Sequence, residues 1–526
     1  MRTRTVATSL AAVALLAAAC SSGESVQRAG EGGGDSTEET TALATDAGEP
    51  EATEPPTSGA ATVEDSTAAG DGTDTAPTTT EPAATTTVAP LADQPPCPVD
   101  ALDEADGPVS ITFWHGVGTD IEPVLAELTD EYNASQDRVV VTLQNQTEYE
   151  LLIDKYIRSS QASRPHLVQA PEYVLQSFAQ SGTFVPAGAC FEASGFDAAP
   201  FVPRALTAYE FEGIQWAMPF NISNPVLYYN RQMFTAAGLD PDSPPITLEE
   251  LRATSEQLVQ SGAASYGIVL DTDADSGAGW YLEQWFGRAG ELYADNGNGR
   301  LAPATQVLFD SDLGAELLTF LQDMIADGLA FNVGDDATAG LFKLADPAEP
   351  GAMVMGTSAA LGAVINALGS GLVPGFGPDD VGVGPMPGPS AEPSTQVGGA
   401  SLWIVDGKGD AETAAAWDYI TFMTSAQSQS TWAARTGYVP VREDALDIEP
   451  LSTTYAEDPR FVVAYDQMLG GDDLAANAPV LGPQREVRDA AARAVAAVFN
   501  GADAASSLAE AADQANALIE SYNARN

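Results

Sequence analysis

Ser110-Ile111-Thr112-Phe113-Trp114-His115-Gly116-Val117-Gly118 is the stretch on which the reading of the fold turns. Six β-branched, aromatic and apolar residues running into a glycine-rich turn predict a strand that ends sharply. A helix is predicted from about Asp120, with Ile121, Val124, Leu125, Leu128 and Tyr132 at helical spacing. Val139-Val140-Val141-Thr142-Leu143 reads as a second, buried strand, followed by a helix over Tyr149–Ser160 and a strand over His166–Ala170. Strand and helix keep alternating, which argues for a mostly parallel α/β sheet with helices on both faces. A new segment opens at Pro225-Val226-Leu227-Tyr228-Tyr229-Asn230, and Gly267-Ile268-Val269-Leu270 is another short strand. Thr247 and Glu250 stand three apart at the head of a helix, as a capping box requires. Further helices are expected at 311–327, 411–424, 485–499 and 503–522, with Pro- and Gly-rich connectors over 373–399 and no internal repeat.

Outward from this core, the N-terminal end reads as a secretion signal. Arg2 and Arg4 precede a short apolar run, Val6 to Ala19, and Ala17-Ala18-Ala19-Cys20 then places small residues before a cysteine. This is the form of a bacterial lipoprotein signal over 1–19 with Cys20 as the lipidated residue; plain cleavage after Ala19 is the other reading. Residues 20–95 read as a disordered tether. Positions 21–95 hold no Phe, Tyr or Trp and carry fifteen acids against the single base Arg28. Such a segment buries too little apolar surface to offset its ordering entropy, and its Thr and Pro content suits O-glycosylation. Beyond Cys20 the only cysteines are Cys97 and Cys190. An even pair outside the cytoplasm argues for one disulfide, two free thiols being the alternative.

The folded part, 97–526, is about 430 residues long, too large for one core, which predicts two lobes. The net charge of −54 makes nucleic acid and anionic lipid poor partners. Only two histidines occur, His115 and His166, and no HExxH, CxxC, GxSxG or P-loop pattern is present. Asp271-Thr272-Asp273-Ala274-Asp275 resembles the opening of a calcium loop, but Ser276 stands where glycine is needed and Leu282 where the closing Glu belongs. It reads instead as a solvated acidic loop, and neither a metal nor a cofactor is expected. Of Trp114, Tyr149, Trp280, Trp285, Trp403 and Tyr438, all but Tyr149 lie within two residues of Gly or Ser. Aromatic faces with nearby hydroxyls and amides suit a polyol or sugar; about half of these rings, Trp403 among them, are expected to be core.

Five ordered motifs carry a resemblance over nearly all of 108–526. They are Phe113-Trp114-His115; Pro219-Phe220-Asn221-Ile222-Ser223-Asn224-Pro225 running into Tyr228-Tyr229-Asn230; Gly398-Gly399-Ala400-Ser401-Leu402-Trp403; Thr436-Gly437-Tyr438-Val439-Pro440; and Pro483-Gln484. In these the chain resembles the extracellular solute-binding proteins (family 1) of carbohydrate-type ABC importers, and within them the sn-glycerol-3-phosphate-binding proteins. The resemblance implies a type II periplasmic-binding-protein-like fold: two α/β lobes, hinge crossovers and a ligand cleft between. It divides the chain into a first lobe of about 97–218 plus 378–430 and a second of about 219–377 plus 431–526. It implies pocket roles for Tyr149 and Glu172 toward hydroxyls, for Ser223, for Thr357 or Ser358, for the Gly399 amide, for Tyr438, and for Arg488 (Arg485 in another register) toward an anion. Tyr149 and Tyr438 are expected to face each other across the cleft. Leu248 stands where the glycerol-3-phosphate binders carry Trp, which favours a glycerophosphodiester or a sugar over glycerol 3-phosphate.

The function so implied is a lipid-anchored, monomeric binder at the outer face of the cell membrane. It captures a small polar ligand for ABC permease subunits and is not an enzyme. A surface enzyme acting on glycans or phosphodiesters is the competing class, and an adhesin a third.

Overall fold

The computed structural model describes residues 88–526 apart from 276, 372, 472 and 473. The signal segment, Cys20 and the tether up to residue 87 lie outside the described residues.

β1 (Val109–His115) and β2 (Val139–Asn145) pair in parallel, and β3 (Leu167–Pro171) joins the other side of β1. Inward-facing Ile111, Phe113, Val139, Val141, Leu167 and Val168 are almost fully buried, each worth about 1.5–3 kcal/mol of apolar burial. β4 (Phe184–Val185) follows, then a hairpin of β5 (Glu210–Phe211) and β6 (Ile214–Gln215), then β7 (Met218–Ser223). The second sheet starts with β8 (Pro225–Asn230) and takes in β9 (Tyr266–Leu270), β10 (Ala330–Asn332), β11 (Gly351–Thr357) and β12 (Val381–Pro385) in the order β10-β9-β11-β8-β12. β13 (Gly398–Val405) returns to the first sheet, whose order is β2-β1-β3-β13-β4 with β7 on β13.

Each sheet is therefore mixed rather than mostly parallel. β10, β9 and β11 are parallel, but β8 lies antiparallel to β11 and β12; β13 is antiparallel to β3, β4 and β7. The antiparallel strands are those at which the chain passes from one lobe to the other, so a lobe's parallel βαβ order stops where a strand enters from its partner.

The lobes exchange chain at points different from those expected. β7 belongs to the first sheet, so the first crossing is at Asn224, and β12 belongs to the second, so the return falls within 386–397 rather than near 378. Tyr438 was expected in the second lobe; a bridge between Ile222 and Val439 holds it on β7 of the first. The first two crossings are tied together. Gln467 donates from Nε2 to Asn224 Oδ1 and to the Pro225 carbonyl, both at 2.7 Å, and its Oε1 accepts from the Met386 amide at 3.1 Å.

Helices Asp312–Ala326, Gln484–Phe499 and Ala504–Asn523 pack on the second sheet. The capping box is present: Thr247 Oγ1 accepts from the Glu250 amide, and the Glu250 carboxylate accepts from the Thr247 amide, both at 3.1 Å. Cys97 and Cys190 are joined by a disulfide that ties the start of the domain to helix Ala187–Ser194. The described fold takes in residues ahead of Cys97: the Val88 amide donates to Glu212, and Leu91 packs on the first core.

Candidate functional site

A cavity opens where the carboxyl ends of β3, β7 and β11 meet the start of β13, the position at which α/β sheets present ligands. It holds about 530 Å³ counting the part open to solvent, and its wall includes Tyr149, Glu150, Glu172, Tyr173, Ser223, Asp275, Trp280, Thr357, Gly399, Tyr438 and Arg488. Most of these sit at the end of an element. Tyr149 begins helix Tyr149–Arg158, Glu172 follows β3, Ser223 and Thr357 end β7 and β11, and Trp280 lies in the first turn of helix Ala278–Ala289. Two glycines make the close packing of this wall possible. Gly399 has φ +87°, and a Cβ there would meet the Asn221 carbonyl oxygen at 2.3 Å. A Cβ on Gly398 would meet the Trp280 ring at 2.6 Å.

The first-lobe side of the wall is a chain of neutral hydrogen bonds. Asn221 Nδ2 donates to the Tyr149 hydroxyl at 2.8 Å, Gln169 Nε2 donates to Asn221 Oδ1 at 2.8 Å, and the Gly116 amide donates to Gln169 Oε1 at 2.9 Å. Tyr438 stacks on Trp432, 5.6 Å between ring centres. Burial pushes both Tyr149 and Tyr438 hydroxyls above the usual phenol range, so they act as neutral groups.

The second-lobe side is charged. Arg488 is 2 % exposed and grips Glu283 through Nε at 2.9 Å and Nη2 at 2.7 Å; Nη2 also donates to Glu172 at 2.8 Å, across the cleft. Gln484 donates to the same Glu283. The first lobe adds carboxyl groups of its own to this cluster: besides Glu172 it brings Glu150, to which Tyr173 Oη donates at 2.6 Å. Asp275 lies beside Glu150; burial first, then that neighbouring carboxylate, pushes the Asp275 carboxyl well above its usual range, with Arg488 opposing. Glu172 is likewise pushed up by burial and drawn back by Arg488.

The structure thus brings Tyr149, Glu172, Ser223, Thr357, Gly399, Tyr438 and Arg488 to one cavity. Ser358, the alternative to Thr357, is buried behind it, bonded to the Asn224 backbone. Arg485 sits at the rim, 3.4 Å from Asp154. Tyr149 and Tyr438 do not face each other across the cleft: both belong to the first lobe and share a wall, their hydroxyls within hydrogen-bonding reach, because Val439 is pinned to β7. The acidic loop is not simply solvated, since Asp271 is 4 % exposed and Asp275 lines the cavity. Of the other aromatics, Trp403 packs in the core against Phe178 and Phe184, Trp285 donates to the Pro387 carbonyl, and Trp114 lies outside the cavity. Leu248 packs on the second core and is not part of the cavity wall. Glu150, Tyr173 and Asp275 were missed as site residues. Their only signal was adjacency to Tyr149 and Glu172, or to the acidic loop.

Two mixed α/β lobes, joined by tied crossings and holding a polar, aromatic-walled cavity at their junction, define a solute-binding architecture. Residues 127–462 match the family described as bacterial extracellular solute-binding protein, and the chain belongs to that family; it is a solute-binding protein. It is 26% identical over 404 residues to the sn-glycerol-3-phosphate-binding periplasmic protein UgpB of Yersinia pseudotuberculosis, covering 74% of this chain and 88% of that protein. Among solved structures it is similar to UgpB from Mycobacterium tuberculosis in complex with glycerophosphocholine, with TM-score 0.66, 22% identity, and coverage of 79% of this chain and 99% of that one. It is also similar to the cyclic alpha-maltosyl-1,6-maltose binding protein from Arthrobacter globiformis, with TM-score 0.63, 22% identity, and coverage of 79% and 100%.

Proposed function

We propose that this protein captures a hydroxyl-rich solute without a phosphomonoester, a glycerophosphodiester first, and delivers it to the permease of an ABC importer. One observation carries the choice. Arg488, the arginine in the cavity wall, is already held by Glu283 and Glu172, while Glu150, Glu172 and Asp275 face the same space. A phosphomonoester dianion entering there meets three carboxyl groups and a guanidinium already engaged. A diester carries one negative charge instead of nearly two, and a zwitterionic diester also brings a cation that the carboxylates and aromatic faces of Tyr173 and Trp280 accommodate. A sugar is the second reading, favoured by Trp280 and the neutral Tyr149–Tyr438 wall. The names of the relatives, all binding proteins, support capture rather than catalysis.

The Ala17-Ala18-Ala19-Cys20 stretch supports an acylated Cys20 that holds a monomeric protein at the outer face of the membrane. No helix among the described residues is long and apolar enough to cross a membrane. The reading is tested by calorimetry on the full chain with sn-glycerol 3-phosphate, glycerophosphocholine and maltose as probes, with mass spectrometry of the N-terminal peptide reading the acyl group. Glycerophosphocholine is expected to bind at least about tenfold more tightly than glycerol 3-phosphate. The reverse order would remove the argument from Arg488.

A further inference from the structure

The chain holds 75 acids against 21 Lys and Arg. In such a protein most bases are expected to find a carboxylate, yet several among the described residues do not; Arg288 and Arg300, for example, spend their donors on backbone carbonyls. Lys343 follows the rule, pairing with Asp346 and Glu349. The other two lysines, Lys155 and Lys408, do not, and neither does Arg164: none has a carboxylate within ion-pair distance among the described residues. These three cations meet on one face of the first lobe. Arg164, His166, Lys408, Gln161 and Trp114 line a concavity there, and Lys155 sits over the Trp114 ring at 4.1 Å. None of these residues belongs to the wall of the solute cavity.

The charged and titratable groups of this concavity are donors. His166 Nδ1 accepts from the Thr112 amide at 3.0 Å. A backbone N–H cannot accept, so in the neutral ring the proton sits on Nε2, which is left as a donor. Lys408 spends donors on the Gln161 and Arg164 carbonyls, which fixes its ammonium beside His166. Arg164 lies on the Tyr156 ring, 4.3 Å from its centre, and its Nε and Nη1 reach neutral acceptors, the Tyr156 carbonyl and Gln161 Oε1, both at 3.3 Å. A guanidinium, an ammonium and an imidazole N–H converge there, with Glu412 as the carboxylate that acts on His166, and that set of donors suits an oxyanion.

We infer that this concavity on the first lobe is a second binding site, separate from the solute cavity, for a phosphate-type oxyanion held by Arg164, Lys408 and His166 Nε2–H. Burial and the neighbouring Lys408 hold the His166 ring below the usual imidazole range, with Glu412 opposing. A bound oxyanion offsets the Lys408 charge and draws that value up.

The chain's two histidines make the test direct. With histidine-selective labelling, the imidazole resonances of the full chain are followed during titration with inorganic phosphate and, separately, with chloride at matched ionic strength. His166 is expected to shift saturably with phosphate only. His115, fully buried, is the internal control. Arg164→Gln and Lys408→Gln are each expected to weaken the phosphate response by about tenfold or more. Arg164→Gln serves as the cleaner variant, because Lys408 also braces the local backbone. A thermal midpoint equal to the parent's shows that the fold survives. A parallel arm adds vesicles of phosphatidylglycerol or of phosphatidylcholine. A His166 response to the former alone assigns the oxyanion to a lipid headgroup, and a response to free phosphate assigns it to a soluble ion. A His166 resonance indifferent to phosphate and to both vesicles, or moved equally by chloride, overturns the site.

Discussion

The two sides of the solute cavity are built from different physics. The first-lobe side is a relay of neutral groups, Gly116 to Gln169 to Asn221 to Tyr149, contained in one lobe. The second-lobe side is a cluster of buried charge centred on Arg488, and it is complete only when Glu172 of the other lobe is in place. A relay held within one lobe is preorganised whatever the angle between lobes. A buried charge cluster spanning the cleft depends on closure, because opening brings water to charges that were paired in a poorly screened place.

The comparison is broken most severely by Arg488→Ala. Glu283, fully buried, is left with Gln484 as its side-chain donor among the described residues, and an uncompensated buried charge costs about 3–5 kcal/mol. Glu172, already pushed up by burial, loses the group that draws it down. The sign follows. A carboxyl whose folded value is raised contributes stability that is present at low pH and lost as pH rises through that value. The variant should therefore be much less stable than the parent near pH 7, and the gap should narrow as pH falls toward 5. Urea unfolding at both pH values measures it. A gap that stays constant would mean that cavity formation, and not charge, sets the loss.

Much of this architecture was legible. The alternation from Ser110 to Ala170 fixes the start of the first sheet, and Thr247 with Glu250 announces a helix start through the hydrogen bonds later found there. Helix positions near 312–326, 484–499 and 504–523 follow from apolar spacing, which is a local property. What did not come through is what depends on contacts distant in sequence. Whether Tyr438 belongs to one lobe or the other is decided by the bridge of its neighbour Val439 to Ile222 and by its stack on Trp432, which packs on Phe220. Among 75 acids, nothing local marks Glu150 or Asp275. The partner of Arg488 is not near it in sequence but 205 residues away, at Glu283. Charge pairing is decided by tertiary packing, and an acidic composition hides it.

Asn221→Ala breaks the neutral side instead. It removes the donor to Tyr149 and leaves buried Gln169 without its acceptor. A loss of about 1–3 kcal/mol is expected from unsatisfied buried amides. Because no ion is involved, that loss should be the same at low and high salt, and the pH dependence should match the parent's. Solute affinity should fall together with stability, since the Tyr149 hydroxyl loses its orientation. A salt-dependent loss would show that the relay is coupled to the charged side after all.

The finest contrast lies within one helix. Arg485 and Arg488 stand three residues apart on Gln484–Phe499, and both reach a carboxylate of the first lobe, Asp154 and Glu172 respectively. They differ in exposure: the Arg485–Asp154 side chains are 36% and 38% exposed at 3.4 Å, the Arg488–Glu172 pair 2% and 7% at 2.8 Å. An exposed pair gains little from Coulomb attraction in water and loses side-chain entropy, so Arg485→Ala should cost only about 0.2–1 kcal/mol. That small cost should shrink further as salt is raised, because mobile ions reach the rim. Salt should leave the Arg488→Ala loss nearly unchanged, since ions do not reach Glu283. The same helix, the same residue type and the same lobe-to-lobe span are thereby compared with burial as the main variable. If Arg485→Ala proved as costly as Arg488→Ala, or as insensitive to salt, closure would be governed by the whole helix face rather than by one buried guanidinium.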